Sequence, residues 1–225
     1  MKLADVVPWG RSLKEYREMF ALTADDLQKS ILGCGDGPAS FNAELSSTGG
    51  TVVSVDPIYC LSTEQLRSRI SEVYDEIMAQ LERNKERYVW DSLGSVEALG
   101  NIRLAAMEKF LEDYDLGKKQ RRYIEGSLPQ LDFADNQFDL ALCSHYLFLY
   151  SQQVSLQAHI ASLQALCRMA KQVRVYPLLA LDGQPSPHLS ATISALEQSG
   201  LSAQLADVSY EFQRGAKQML VVRSH

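Results

Sequence analysis

Three glycines at alternate positions, Gly33, Gly35 and Gly37, stand in the stretch SILGCGDGPASFNAEL, with an acid, Asp36, between the last two and Pro38 directly after them. A second acid, Asp56, follows Gly37 by 19 positions, at the end of the β-branched run TVVSVDP. A glycine-rich turn lets backbone approach a ligand closely, and an acid about 20 residues further on can accept hydrogen bonds from ribose hydroxyls. The pair fits an adenosine-containing ligand. Two kinds share the arrangement: nicotinamide or flavin dinucleotides, and S-adenosylmethionine.

Asp36 and Pro38 separate them. A pyrophosphate at a helix N-terminus needs backbone N–H donors and no nearby negative charge, whereas this loop offers a carboxylate and a residue without an N–H. A sulfonium and an ammonium tolerate an acidic loop far better. The GxGxG spacing, lacking the third glycine of GxGxxG, points the same way.

The elements that must position these residues alternate between strand-like and helix-like, the pattern of a parallel sheet covered by helices. Ser12 and Glu15 have capping-box spacing ahead of a helix over 12–20. Ile31 and Leu32 lead a short first strand into the glycine loop, and Pro38 suits the first turn of a helix running to about Leu45. TVVSV is a second, buried strand. Residues 61–117 contain no strand. Leu66, Ile70, Val73, Ile77 and Leu81 form one apolar stripe behind a Ser62–Gln65 capping box, and Leu99, Ile102, Ala106, Phe110 and Tyr114 form another. A βαβ crossover needs one helix, so this segment is an insertion. Strands RRYIEG, FDLALCS and QVRVYPLL follow, with a helix over about Val154–Ala170, a last helix ending at Gly200, and a closing hairpin turning at QRGA. One domain over 1–225 with a helical insertion is the economical description.

The stretch EGSLPQLDFADNQFDLALCSHYLFLY, residues 125–150, together with LGCGDG and VVSVDP, resembles the motifs of class I S-adenosylmethionine-dependent methyltransferases in order and spacing, across nearly the whole chain apart from the insertion. That resemblance implies a Rossmann-like α/β fold with a seven-stranded mixed sheet, order 3-2-1-4-5-7-6 and strand 7 antiparallel, and S-adenosylmethionine as cofactor. It implies that Gly33, Gly35 and Gly37 lie against the methionine part, that Asp56 binds the ribose hydroxyls, and that Ser127 and Leu128 meet the adenine. Ser144 and His145 would face the transferred methyl, with His145 the candidate base. Ile31 stands where many members carry an acid, and Ser127 where an aspartate often meets the adenine amino group. SHYLFLY replaces the [DN]PP[YF] pattern of nucleobase amino methylation, so a small-molecule acceptor is expected. A ligand sensor without turnover is the alternative from another class, and an NAD(P)-dependent oxidoreductase the alternative enzyme.

Composition limits the partners. With 22 basic and 28 acidic residues the formal charge is -6, against a general nucleic-acid surface. The four cysteines are far apart and carry no metal-ligand spacing. The N-terminal residues lack the apolar run of a signal peptide, and no stretch approaches the roughly 18 apolar residues of a membrane span. A cytoplasmic location, no membrane and no metal are the expectations. His159 and His188 read as surface or capping residues.

Overall fold

The computed structural model describes residues 8–224; His225 and the first seven residues, on which part of the N-terminal reading rests, lie outside them. Helix α1 (Leu13–Met19) opens on the expected capping box: the Glu15 N–H donates to Ser12 Oγ, and the Ser12 N–H donates to the Glu15 carboxylate. Strand β1 (Ser30–Cys34) runs into the glycine loop, followed by α2 (Phe41–Ser47) and β2 (Thr51–Val55). Helix α2 starts later than Pro38. Gly37 adopts φ +53° and its carbonyl accepts from the Tyr59 hydroxyl at 2.7 Å, so the residues around Pro38 form a braced turn rather than a first helical turn.

The insertion is two long helices, α3 (Thr63–Arg83) and α4 (Val96–Lys119), the first again on its Ser62–Gln65 box. Helix α3 buries the expected stripe. Helix α4 departs from it at one position: Ile102 is 37% exposed, and Arg103 points inward with no exposure. The reason is a buried ion pair described below.

After α4 come β3 (Tyr123–Ile124), β4 (Phe138–Ser144), α5 (Leu156–Met169), β5 (Ala170–Tyr176), α6 (Leu189–Gln198), β6 (Leu201–Asp207) and β7 (Gln218–Ser224). The sheet order is β3-β2-β1-β4-β5-β7-β6. Strands β1 to β5 pair in parallel, and β7 is antiparallel to both β5 and β6. Alternation along the central strands divides the core: Ile31 and Leu140 pack with Tyr16, Phe20 and Phe41 on one face, Leu32 and Ala141 with Leu163 and Leu166 on the other. Both faces are covered, which is why FDLALCS and TVVSV read as near-continuous apolar runs.

The closing hairpin differs from its expected form. Its strands end at Asp207 and resume at Gln218, so the connection is not a tight turn at QRGA but a longer excursion carrying Tyr210 and Phe212. The Val89 N–H donates to the Phe212 carbonyl at 2.8 Å, and Tyr88 stacks on Phe212 at 4.6 Å. The α3–α4 connector, with Trp90 edge-on to Phe212, is thereby tied to the β6–β7 loop. Among the described residues, no helix is long and apolar enough to cross a membrane.

Candidate active site

The carboxyl ends of β1, β2, β4 and β5 surround a cavity of about 300 Å³, within the size range of small-molecule sites and at the edge where open α/β sheets bind ligands. The glycine loop forms its floor. Asp36 folds back over Gly33, its carboxylate accepting from the Tyr16 hydroxyl at 2.7 Å and the Ser54 hydroxyl at 2.6 Å. Burial pushes this carboxyl up to about 7, with neighbouring Asp56 adding to the shift and the two hydroxyl donors opposing it.

Two of the loop's own donors are already used. The Gly35 N–H donates to the Val55 carbonyl at 3.0 Å and the Gly37 N–H to Asp56 Oδ2 at 2.9 Å, while Asp56 Oδ1 accepts from the Ile58 N–H at 3.0 Å. Burial raises the Asp56 carboxyl to about 6 against those two backbone bonds. Each carboxylate oxygen offers about two acceptor sites, so Asp56 retains capacity for hydroxyl donors from the cavity.

Of the residues singled out in the sequence, Gly35, Gly37, Asp56, Ser127, Leu128 and His145 line this one cavity. Gly33 and Ser144 do not. Gly33 lies under the Asp36 carboxylate, and Ser144, 2% exposed, has its hydroxyl 3.1 Å from His145 Nδ1. Asp36 and Tyr146 also border the cavity, and Tyr16 and Tyr59 brace the loop through their hydroxyls.

His145 follows β4 in the left-handed region at φ +50°, and its N–H donates to the Tyr176 carbonyl at 2.8 Å. Burial, then the cations Arg11 and Arg103, hold its pKa well below the usual histidine value. The imidazole is therefore neutral near pH 7, with a lone pair free to accept a proton.

Sequence reasoning missed a cluster beside His145. Arg103 on α4 pairs with Glu15 on α1, and the Tyr210 hydroxyl, itself contacted by Arg103, donates to Glu15 Oε1 at 3.0 Å. Burial drives the Glu15 carboxyl up, but Arg103 overcomes this and keeps it below its ordinary value. Arg11 lines the cavity next to this group. The available signals were an arginine inside an apolar stripe and an acid doing double duty in a capping box.

His159 is fully buried rather than at the surface: its Nδ1 lies 2.8 Å from the Ser155 carbonyl and its ring 5.0 Å from that of His188, because α5 turns it into the packing against Phe148. Among the described residues, no group of three His, Cys, Asp or Glu could hold a metal ion.

The sheet order with its antiparallel seventh strand, the glycine loop after β1 and the acid closing β2 define the class I methyltransferase fold. Solved S-adenosylmethionine-dependent methyltransferases are among the structures similar to the chain. The chain belongs to the family of the uncharacterized protein MJ0045 of Methanocaldococcus jannaschii, to which it is 30% identical over 224 residues, covering 99% of this chain and 98% of that protein. No family model matches it. The PH0226 protein of Pyrococcus horikoshii OT3 superposes with a TM-score of 0.48 at 10% identity, over 94% of this chain and 91% of that one. A putative S-adenosyl-L-methionine-dependent methyltransferase of Methanococcus maripaludis gives a TM-score of 0.47 at 10% identity, over 94% and 82% of the two chains.

Proposed function

We propose that this protein is an S-adenosylmethionine-dependent methyltransferase acting on a small-molecule acceptor. The observation that carries the reading is the state of the glycine loop: the Gly35 and Gly37 N–H groups are consumed internally, Pro38 has none, and two carboxylates border the cavity in their place. Such a floor repels a pyrophosphate and suits a ligand with cationic groups and hydroxyls. The donor set thus supports S-adenosylmethionine over a dinucleotide.

In this reading Gly35 and Gly37 keep the loop low enough for close approach, Asp56 accepts the ribose hydroxyls, and Ser127 with Leu128 borders the adenine. Asp36 supplies negative charge at the cationic end, a role compatible with Ile31 being wholly buried in the core. Gly33 acts indirectly, by making room for Asp36. Bound S-adenosylmethionine supplies a methyl group already activated on a sulfonium, so the protein has to align the acceptor and, where the acceptor is protonated, take up one proton. His145 is the group for that proton, with Ser144 orienting its ring.

Titration calorimetry with S-adenosylmethionine, S-adenosylhomocysteine and NAD tests this. Binding of the first two and not the third is expected. Binding of NAD alone overturns the reading, and tight binding of S-adenosylmethionine without labelled-methyl transfer to any of a metabolite panel would instead leave a sensor.

A further inference from the structure

Arg11 is a partly buried cation that lines the cavity. Its Nε is buried without a hydrogen-bond partner, and its Nη1 donates to the Trp9 carbonyl at 3.0 Å. Glu15, the nearby acid, is engaged by Arg103 and Tyr210. Among the described residues, Arg11 forms no ion pair. A guanidinium partly withdrawn from water without an ion-pair partner is unfavourable, and an anionic ligand in the adjoining cavity relieves that cost. Its fork of N–H donors matches a carboxylate in particular.

The position of Arg11 selects which ligand. Its charge bears on Glu15 and Tyr16 of α1 and on His145, Tyr176 and Tyr210, at the ends of β4 and β5 and in the β6–β7 loop, whereas neither Asp36 nor Asp56 pairs with it. That is the end of the cavity away from the ribose acid. The walls there are apolar, with Leu81 of α3, Leu149, and Tyr88 stacked on Phe212. One unpaired cation facing a cavity that already holds two acids balances a monoanion and not a dianionic phosphate.

We propose that Arg11 recognises the methyl acceptor, and that the acceptor is an apolar carboxylate whose anionic group pairs with Arg11 while its hydrocarbon or aromatic body lies among Leu81, Tyr88, Leu149 and Phe212. That the ligand is a methyl acceptor rests on the methyl-transfer reading; that the cavity takes an apolar carboxylate does not. Pairing of Arg11 with the ligand also removes a nearby positive influence on His145, so the imidazole becomes a better proton acceptor when the acceptor is in place.

The test is calorimetry on the full chain, with and without S-adenosylhomocysteine, using two probe pairs: 2-naphthoate against 2-naphthamide, and octanoate against octanamide. At least one acid is expected to bind tenfold or more tightly than its amide, with the preference lost in Arg11→Gln and partly kept in Arg11→Lys. Equal binding of acid and amide in both pairs overturns the proposal, and that comparison needs only the native protein. So does a preference that survives in folded Arg11→Gln, or an Arg11→Gln protein that loses tenfold in S-adenosylhomocysteine affinity while keeping the probe preference. The last outcome would assign Arg11 to the cofactor's carboxylate. Failure to bind S-adenosylhomocysteine, with the acid preference intact, overturns the methyl-transfer reading and leaves the carboxylate site standing.

Discussion

The Asp36 carboxylate occupies the space that a side chain at Gly33 would fill: a Cβ there would collide with Asp36 Oδ2. The first glycine of the loop is thus a steric requirement of the acid three residues later. Gly33→Ala should displace Asp36 from Tyr16 and Ser54 and destabilise the fold by about 2 kcal/mol or more, the scale of overpacking and broken buried hydrogen bonds. Denaturant melts of Gly33→Ala, Asp36→Gly and the double variant measure the coupling. The double variant should be more stable than the sum of the singles predicts, and simple additivity would contradict the packing relationship.

Asp36 and Asp56 make stability and ligand binding depend on pH in opposite directions. Both carboxyls sit above their ordinary value of 3.8, at about 7 and about 6, so the folded state holds protons that the unfolded chain releases. The stability they contribute is complete below about pH 4 and is lost as pH rises through about 6 and 7. Without ligand, the protein should lose roughly 4 kcal/mol between about pH 5 and pH 8 from these two groups. Affinity for S-adenosylmethionine should rise across the same window, because the ionised acids attract its cations, and more steeply than affinity for the uncharged-sulfur product. Asp36→Asn should flatten both curves. Thermal melts and calorimetry at several pH values check this, and a melting temperature that climbs from pH 5 to 8 would contradict it.

Asp56 has a second task besides bracing the loop. If it accepts the ribose hydroxyls as a charged group, Asp56→Ala should weaken cofactor binding by about 1.5–3 kcal/mol. Asp56→Asn removes the charge but keeps a single acceptor oxygen, so it can serve only one of the Gly37 and Ile58 N–H groups and should lose one loop bond as well. Unchanged affinity in a folded Asp56→Ala protein would remove the assignment.

Both capping boxes and the strand FDLALCS were legible because each is written in local spacing: Ser12 to Glu15, Ser62 to Gln65, an uninterrupted apolar run; the sheet order came only with the family resemblance. The acid and the missing donor of the loop were legible from residue type, since Asp36 and Pro38 carry their chemistry wherever the backbone puts them. What was not legible lies in partners far apart in the chain. Glu15 meets Arg103 across 88 positions and Tyr210 across 195, and no local pattern encodes either contact. Helical periodicity placed Ile102 on the inner face because hydrophobicity is all that it weighs, while an ion pair put the neighbouring Arg103 there instead. The length of the β6–β7 connection escaped for a similar reason: it is set by Phe212 docking on Tyr88, not by its own turn residues.

The Glu15–Arg103 pair should be costly to break from one side. Arg103 has no solvent exposure and Glu15 is 5% exposed, so Arg103→Met strands a buried carboxylate and should cost about 3–5 kcal/mol. Adding Glu15→Gln removes the stranded charge and should recover part of the loss, although the reach back to the Ser12 N–H then rests on an amide. Chemical denaturation of the single and the double variant measures this. A loss under about 1 kcal/mol in Arg103→Met would show that the pair contributes no more than an exposed salt bridge.

His145 should remain neutral well below its ordinary titration range, since burial and the charges of Arg11 and Arg103 all disfavour the imidazolium. Nitrogen-detected NMR of the ring should show no protonation as pH falls through about 6.5, the unperturbed value. Arg11→Gln removes one of the two cations, so its His145 should titrate at a higher pH than in the native protein. The same reasoning fixes the kinetic expectation. Loss of a positioned base costs about 10²–10⁴ in rate, so His145→Ala should lower methyl transfer by that factor for an acceptor that must lose a proton, with cofactor affinity retained because the Asp36 and Asp56 contacts are untouched. A His145→Ala protein that transfers methyl at the native rate would reduce His145 to a wall of the cavity, and one that loses cofactor binding instead would place its ring against the cofactor.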